Sequence, residues 1–273
     1  MADDTILDFC LLIPCFNNPD GLVRSLRSVH YDPVRCIAVV VDDGSAVPLD
    51  EEQLQHGIGS GIKVKLLRLE QNGGITIALN AGLDWILKNL NTELIARLDC
   101  GDICSSQRFS LQAGLMKGDR RLLLTGSWCY FRDPVTGGQY EYTTALVHEK
   151  IIKEMYSRNV FIHPTVMFRS DKVRAAGGYP ENFEFAEDYA FFWALLKLGR
   201  VAMIGEFLVT CEINKSGISF VNKGKQLIAR WKVVKTFGSA PVLKLMGFLR
   251  LAGLLVLPKE LILWLKKKKA RNR

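Results

Sequence analysis

Carboxylates gather in this chain just past apolar runs. The run ELIARL closes in Arg97-Leu98-Asp99-Cys100-Gly101-Asp102, with two acids three positions apart. Like charges that close are costly at intermediate dielectric unless a cation lies between them. Oxygen donors select a hard cation, Mg2+ or Mn2+, which binds through one or two carboxylates plus substrate phosphates. Asp99 and Asp102 are the candidate ligands. Taken alone, the D-x-x-D spacing also suits Asp102 as the N-cap of a helix over SSQRFSLQAGL.

Three more polar clusters follow apolar runs: Pro14-Cys15-Phe16-Asn17-Asn18, Asp42-Asp43-Gly44-Ser45 and Asn72-Gly73-Gly74. A separate acidic pair, Glu187-Asp188, opens the aromatic run EDYAFFWALLKL. Acids in a first helical turn are common because they suit the helix dipole. No GxGxxG follows the first apolar run and no GxxxxGK[ST] occurs, so dinucleotide and P-loop phosphate cradles are excluded. An acid-lined edge repels a bare diphosphate, and a divalent ion reverses that sign.

These groups need elements to position them. Apolar runs FCLLIP, CIAVVVDD, VKLLRL and ELIARL alternate with helical patterns at 20–30 and 75–90, which predicts a mostly parallel sheet with covering helices. Ligands of such sheets bind past the carboxyl ends of the strands. The four polar clusters sit at those ends. Further on, 122–131 and 166–169 read as strands, 148–157 and 187–198 as helices, and 201–213 as one or two last strands.

Residues 221–273 carry 14 Lys and Arg against one acid, while residues 1–220 hold 22 bases and 27 acids. The net charge of +8 is therefore a property of the C-terminal part. A nucleic-acid enzyme carries its basic stripe over the body, so no nucleic acid is expected. After a basic helix at about 223–237, the run VLKLMGFLRLAGLLVLP is interrupted by Lys244 and Arg250. It falls short of the ~18–20 uncharged residues of a spanning helix, and C-terminal amphipathic helices resting on an anionic membrane surface fit better. The seven cysteines are odd in number, scattered and without a CxxC pair, and MADDTILDFC carries no signal-peptide pattern. A reduced, cytoplasmic body is expected, peripheral on the inner face of the cell membrane.

LLIPCFNNPDGLVRSLRSV, VVVDDGS, NGGITIALNAGL, ARLDCGDICSSQRF and HPTVMFRSDKVRAAGGYPENFEFAEDYAFFWALLKLG follow one another in the order and spacing of family 2 glycosyltransferases, which the chain resembles over roughly residues 8–215. The resemblance implies an α/β GT-A fold, with a Rossmann-like nucleotide-sugar half at about 1–120 abutting an acceptor half at about 121–220, and 221–273 as a membrane-association segment. It also implies a nucleotide-sugar donor (UDP- or dTDP-linked favoured), a divalent metal and inversion at the anomeric carbon. On this resemblance Pro14, Asn17, Asp42, Asp43, Gly74 and Asn80 line the nucleotide, with Asp43 favoured as the acceptor from the base. Asp99 is the ribose- and metal-side acid. Asp188 is the general base, and His163, Glu187, Trp193 and Lys215 lie toward the acceptor. Gly101 departs from the family pattern: many members carry a carboxylate there, which shifts the metal expectation onto Asp102.

The function implied is transfer of a sugar to a hydroxyl of a lipid-linked or lipopolysaccharide-type glycan. A sugar-phosphate nucleotidyltransferase would need a Gly-rich, Arg-containing first loop, which IPCFNN is not. The alternative from another class is a catalytically silent glycan- or lipid-binding module that retains the fold, and Gly101 is the feature that favours it.

Overall fold

The computed structural model describes residues 6–213 and 223–256. Lys215 and the loop NKSGIS lie outside the described residues. β1 (Phe9–Cys15) and β2 (Cys36–Asp42) are buried almost throughout, as parallel strands covered on both faces must be. Side-chain alternation splits β1 between two cores: Cys10 and Leu12 pack on one side of the sheet, and Phe9, Leu11, Ile13 and Cys15 on the other.

α1 (Pro19–Arg27) starts where Asn18 accepts from the Gly21 amide and Pro19 presets the first turn. α2 (Glu51–Ile58), capped by Asp50, precedes β3 (Lys63–Arg68). α3 (Ile75–Asn89) leads into β4 (Leu94–Arg97), then β5 (Ile103–Cys104) and α4 (Arg108–Gly118). β6 (Leu122–Arg132), β7 (Gln139–Tyr142), α5 (His148–Met155), β8 (Met167–Arg169) and α6 (Val173–Ala176) follow. α7 (Glu187–Leu198) and β9 (Arg200–Glu212) complete the body, and α8 (Lys223–Phe237) and α9 (Pro241–Val256) come last.

One sheet runs through both halves in the order β3-β2-β1-β4-β8-β6-β9-β5, with β7 added on β6. β3, β2, β1 and β4 are parallel, and β8 and the short β5 run antiparallel to their neighbours. Strand order reverses at β1, between β2 and β4, which makes the carboxyl ends of β1 and β4 the expected crevice. β4 is central and β5 is at the far edge, yet only residues 98–102 join them, a reach of at most ~20 Å. The sheet therefore curls until its β9–β5 edge meets the loop after β4. That curl carries the end of β9 to the crevice.

Four elements lay outside the sequence expectations: α2, β5, β7 and α6. The region 201–213, read as one or two strands, is a single one. Asp102 is not a helix cap, because α4 begins only at Arg108. Among the described residues, no helix is long and apolar enough to cross a membrane. All seven cysteines are free.

Candidate active site

The loop after β4 is organised by Arg97, which is fully buried. A buried guanidinium is tolerated only when its donors are used. Its Nη2 donates to Asp99 Oδ1 at 2.7 Å, its Nη1 to the carbonyls of Leu12 and Leu98, and its Nε to His163 Nε2 at 3.2 Å. Arginine does not give up its proton, so His163 Nε2 must present a lone pair, and Tyr179 Oη donates to the same nitrogen from 2.9 Å. Burial, helped by the charge of Arg97, pushes the imidazole pKa well below its usual value and keeps it neutral. His163 thus holds Arg97 in place, with Nε2 already committed, where an acceptor contact was expected.

Asp99 remains open, its side chain 35% exposed. Asp102 does not. It is buried, its Oδ1 accepts from the Glu212 amide at 2.8 Å, and it braces the loop to the end of β9. Burial, then the charge of Asp99, pushes its carboxyl well above the usual range toward the neutral form. Asp102, expected as a metal ligand, is thus the buried acid of the pair and Asp99 the more open one.

Gly101 shows what stands in place of a further acid. Its φ of +104° is unfavourable for a side chain, and a Cβ there would lie 3.0 Å from Glu212 Oε2. The space is held by a carboxylate from β9 instead. Glu212 is 35% exposed on its side chain and pairs with Arg24 at 3.4 Å. Among the described residues no three His, Cys, Asp or Glu side chains converge as a closed metal cage. The donor set beside Gly101 is nonetheless two exposed carboxylates, Asp99 and Glu212, and a Mg2+-type ion needs only one or two with substrate phosphates and water completing its shell. The residues fit the ion.

The neighbouring loops are locked to this one. Asn18 Nδ2 donates to the Cys100 carbonyl at 3.4 Å, while Ser25 Oγ donates to the Asp99 carbonyl and accepts from the Gly101 amide. Asn17, at φ +50°, accepts from the Ala46 amide and donates its own amide to Ser45 Oγ. Pro14, half-buried, sits just ahead of it at the end of β1. Asp42 is fully buried and accepts from Ser45 and Leu49 amides and from Arg68, so it shapes its own turn. Asp43 accepts from the amides of Gly73 and Gly74 and from Asn72 Nδ2. A carboxylate has about four acceptor sites, which leaves one on Asp43. Gly74, at φ +86°, opens α3. Asn80 faces elsewhere than expected: its amide pairs both ways with the Tyr179 backbone, at 2.8 and 2.9 Å.

The second acidic pair opens α7. Asp188 is half-buried, its Oδ2 accepting from Asn159 Nδ2 at 2.9 Å and Oδ1 from the Tyr189 amide. Burial raises its pKa, opposed by the charge of Arg230 and the bonds from Tyr189 and Asn159, and helped by the negative charge of Asp99. Glu187 is pushed up to about 7 by burial and then by the charge of Asp188. The two acidic clusters are held on one frame, since Tyr179, bonded to His163, packs on Phe191 of α7 with centroids 4.5 Å apart. Trp193 is not available for stacking on a ligand: it is buried and meets the edge of Tyr156.

Glu212, Arg24, Asn18, Ser25, Asn159, Tyr179 and Arg230 were not singled out from sequence. Asn18 had a local signal, the Asn-Pro helix start. The others are joined to the site by contacts across the fold, which no spacing reveals.

An α/β sheet with acidic loops at its switch point, linked through His163, Tyr179 and α7 to a second acidic pair, is a fold of GT-A type. Residues 10–175 match the model described as Glycosyl transferase family 2. The chain belongs to that family and is a glycosyltransferase. It is 28% identical over 249 residues to the amylovoran biosynthesis glycosyltransferase AmsE of Erwinia amylovora, covering 89% of each chain. To the UDP-Gal:alpha-D-GlcNAc-diphosphoundecaprenol beta-1,3-galactosyltransferase of Escherichia coli it is 25% identical over 201 residues, 73% of this chain and 71% of that one. Its backbone resembles S. aureus TarS 1-349 in complex with UDP-GlcNAc, with a TM-score of 0.65 at 16% identity over 89% of this chain and 72% of that one. It also resembles the mannosyltransferase PcManGT from Pyrobaculum calidifontis in complex with GDP-Man and Mn2+, with a TM-score of 0.66 at 14% identity over 96% and 79%. At these identities the structural likeness is one of fold.

Proposed function

We propose that this chain builds a bacterial surface polysaccharide, moving a sugar from a UDP- or dTDP-linked donor to a hydroxyl of a lipid-linked glycan at the inner face of the cell membrane. The observation that carries the reading is the single rigid frame joining Asp99 to Asp188 through Arg97, His163, Tyr179 and α7. One end suits the donor's diphosphate, the other the acceptor hydroxyl. The names of AmsE and of the diphosphoundecaprenol galactosyltransferase support the acceptor class, and TarS with UDP-GlcNAc supports the donor.

The reaction is a single displacement. The acceptor oxygen bonds to the anomeric carbon as the bond to the diphosphate oxygen breaks, and the nucleoside diphosphate leaves. Attack opposite the leaving group inverts the centre. Asp188 takes the hydroxyl proton on its carboxylate, a role typically worth ~10²–10⁴-fold. Asn159 and the Tyr189 amide hold the carboxylate in its anionic form and fix its direction. Asp99 and Glu212 would hold Mg2+ or Mn2+, which supplies positive charge to the departing diphosphate. Asp43, with one acceptor site left, would take the base N–H, beside Pro14 and Asn17. Glu187 lies next to the base and repels the charge on Asp188.

The test is a panel of UDP-, dTDP- and GDP-sugars with a polyprenyl-diphosphate-linked sugar acceptor, with and without EDTA. Transfer from a UDP- or dTDP-sugar that EDTA abolishes is expected. Transfer only to soluble acceptors, or EDTA-insensitive transfer, removes the corresponding part of the reading.

A further inference from the structure

A surface helix normally turns its apolar stripe inward and its polar face to water. α9 breaks that rule. Its packed side is marked by Leu251, buried, and by Gly247, where any Cβ would strike the Tyr156 carbonyl. The opposite side holds Val242, Leu245, Met246 and Leu249, spaced i, i+3, i+4 and i+7, and these are 69, 58, 59 and 61% exposed. Such a row is a docking face rather than scattered surface residues.

Charge identifies what it meets. From residue 223 to 256 there are seven Lys and Arg and no acid, and residues 257–273 add seven bases against one acid. Lys150 and Lys153 of α5 line a groove of about 480 Å3 that Leu243 and Met246 of α9 share. Arg250 is exposed near the row. Exposed alkyl groups among cations, on a chain whose first 220 residues are net negative, match an anionic lipid interface. A second copy would set base against base.

We propose that Val242, Leu245, Met246 and Leu249 enter the headgroup–acyl boundary of an anionic bilayer, with Lys150, Lys153 and Arg250 meeting lipid phosphates. α8 lies between this face and the catalytic helix: its Lys232 donates to the Asn182 carbonyl at 2.7 Å, and its Arg230 acts on the charge of Asp188. Docking through α9 therefore leaves α7, which opens with Asp188, one helix removed from the docked face. The inference deepens the reading of a lipid-linked acceptor, and the two can fail separately.

The experiment is flotation of the full chain with phosphatidylcholine vesicles that contain or lack phosphatidylglycerol, beside Leu245→Gln/Leu249→Gln. Wild type should float with the anionic vesicles, and the double variant should bind them at least tenfold more weakly. Its transfer rate to a short water-soluble acceptor should be unchanged. Loss of flotation in the variant upholds the docking face even when no lipid-linked acceptor is used by either protein. Absent flotation of wild type, equal flotation with neutral vesicles, or a variant that floats like wild type overturns it. So does light scattering that shows a wild-type dimer which the variant converts to monomer.

Discussion

Glu212 Oε2 lies 3.0 Å from the point at which a side chain on Gly101 would begin. A side chain at 101 would crowd that carboxylate, and the acid beside the loop after β4 comes from β9. The first expectation follows. Glu212→Gln should weaken Mn2+ binding about tenfold, read by electron paramagnetic resonance in the presence of nucleoside diphosphate. An unchanged affinity would assign Glu212 to pairing with Arg24 alone.

Gly101→Asp should not restore a family-like site. At φ +104° a non-glycine residue costs on the order of 1–3 kcal/mol, and its carboxylate would arrive against Glu212. Denaturant unfolding should show that loss, and adding Glu212→Ala should recover part of it.

Asn159→Ala should move the acid limb of the kcat/KM profile upward. The acid limb belongs to the ionised base, and Asp188 already titrates above the usual range because it is buried. Removing the Asn159 donor takes stabilisation from the anion and raises the pKa further. Activity is then lost at a higher pH as the solution is acidified. An unmoved limb would show that another group sets it.

Glu187→Gln should stabilise the fold at pH 8. The carboxyl of Glu187 goes from 4.5 to about 7 on folding, so between those values the native state binds more protons than the unfolded chain. Stability contributed by this group therefore falls as pH rises through that window. The gain in Tm for the variant should shrink as pH drops from 8 toward 4.5.

Arg97→Met should cost ~3–5 kcal/mol, because it removes the donors that Arg97 supplies to the Leu12 and Leu98 carbonyls, His163 and Asp99. Urea unfolding measures this. Arg97→Lys should recover little, since one ammonium cannot reach the four positions the guanidinium fork serves.

What was legible in the sequence was local. The runs that became β1, β2, β3 and β4 carry their own apolar signal, α3 and α7 carry helical spacing, and Asp99 and Asp188 stand at the ends of such elements. What was missed shares a cause. The spacing of Asp102 does not reveal that β5 forms right after it and that the curl of the sheet closes β9 over it, burying the carboxyl. Glu212, 110 residues from Asp102 in sequence, is joined to it by a bond from its amide to the Asp102 carboxylate that exists only once the sheet has curled. Asn80 and His163 were expected to face ligands, yet Tyr179, distant in sequence, takes up the Asn80 amide and shares His163 Nε2 with Arg97.

The most direct measurement is single-turnover transfer by wild type and Asp188→Asn from a UDP-sugar to a lipid-linked acceptor, with the product's anomeric configuration read by NMR. Inverted product from wild type, and a rate lower by ~10²–10⁴ in the variant, is the expected result. Retained configuration, or equal rates from the two proteins, would contradict it.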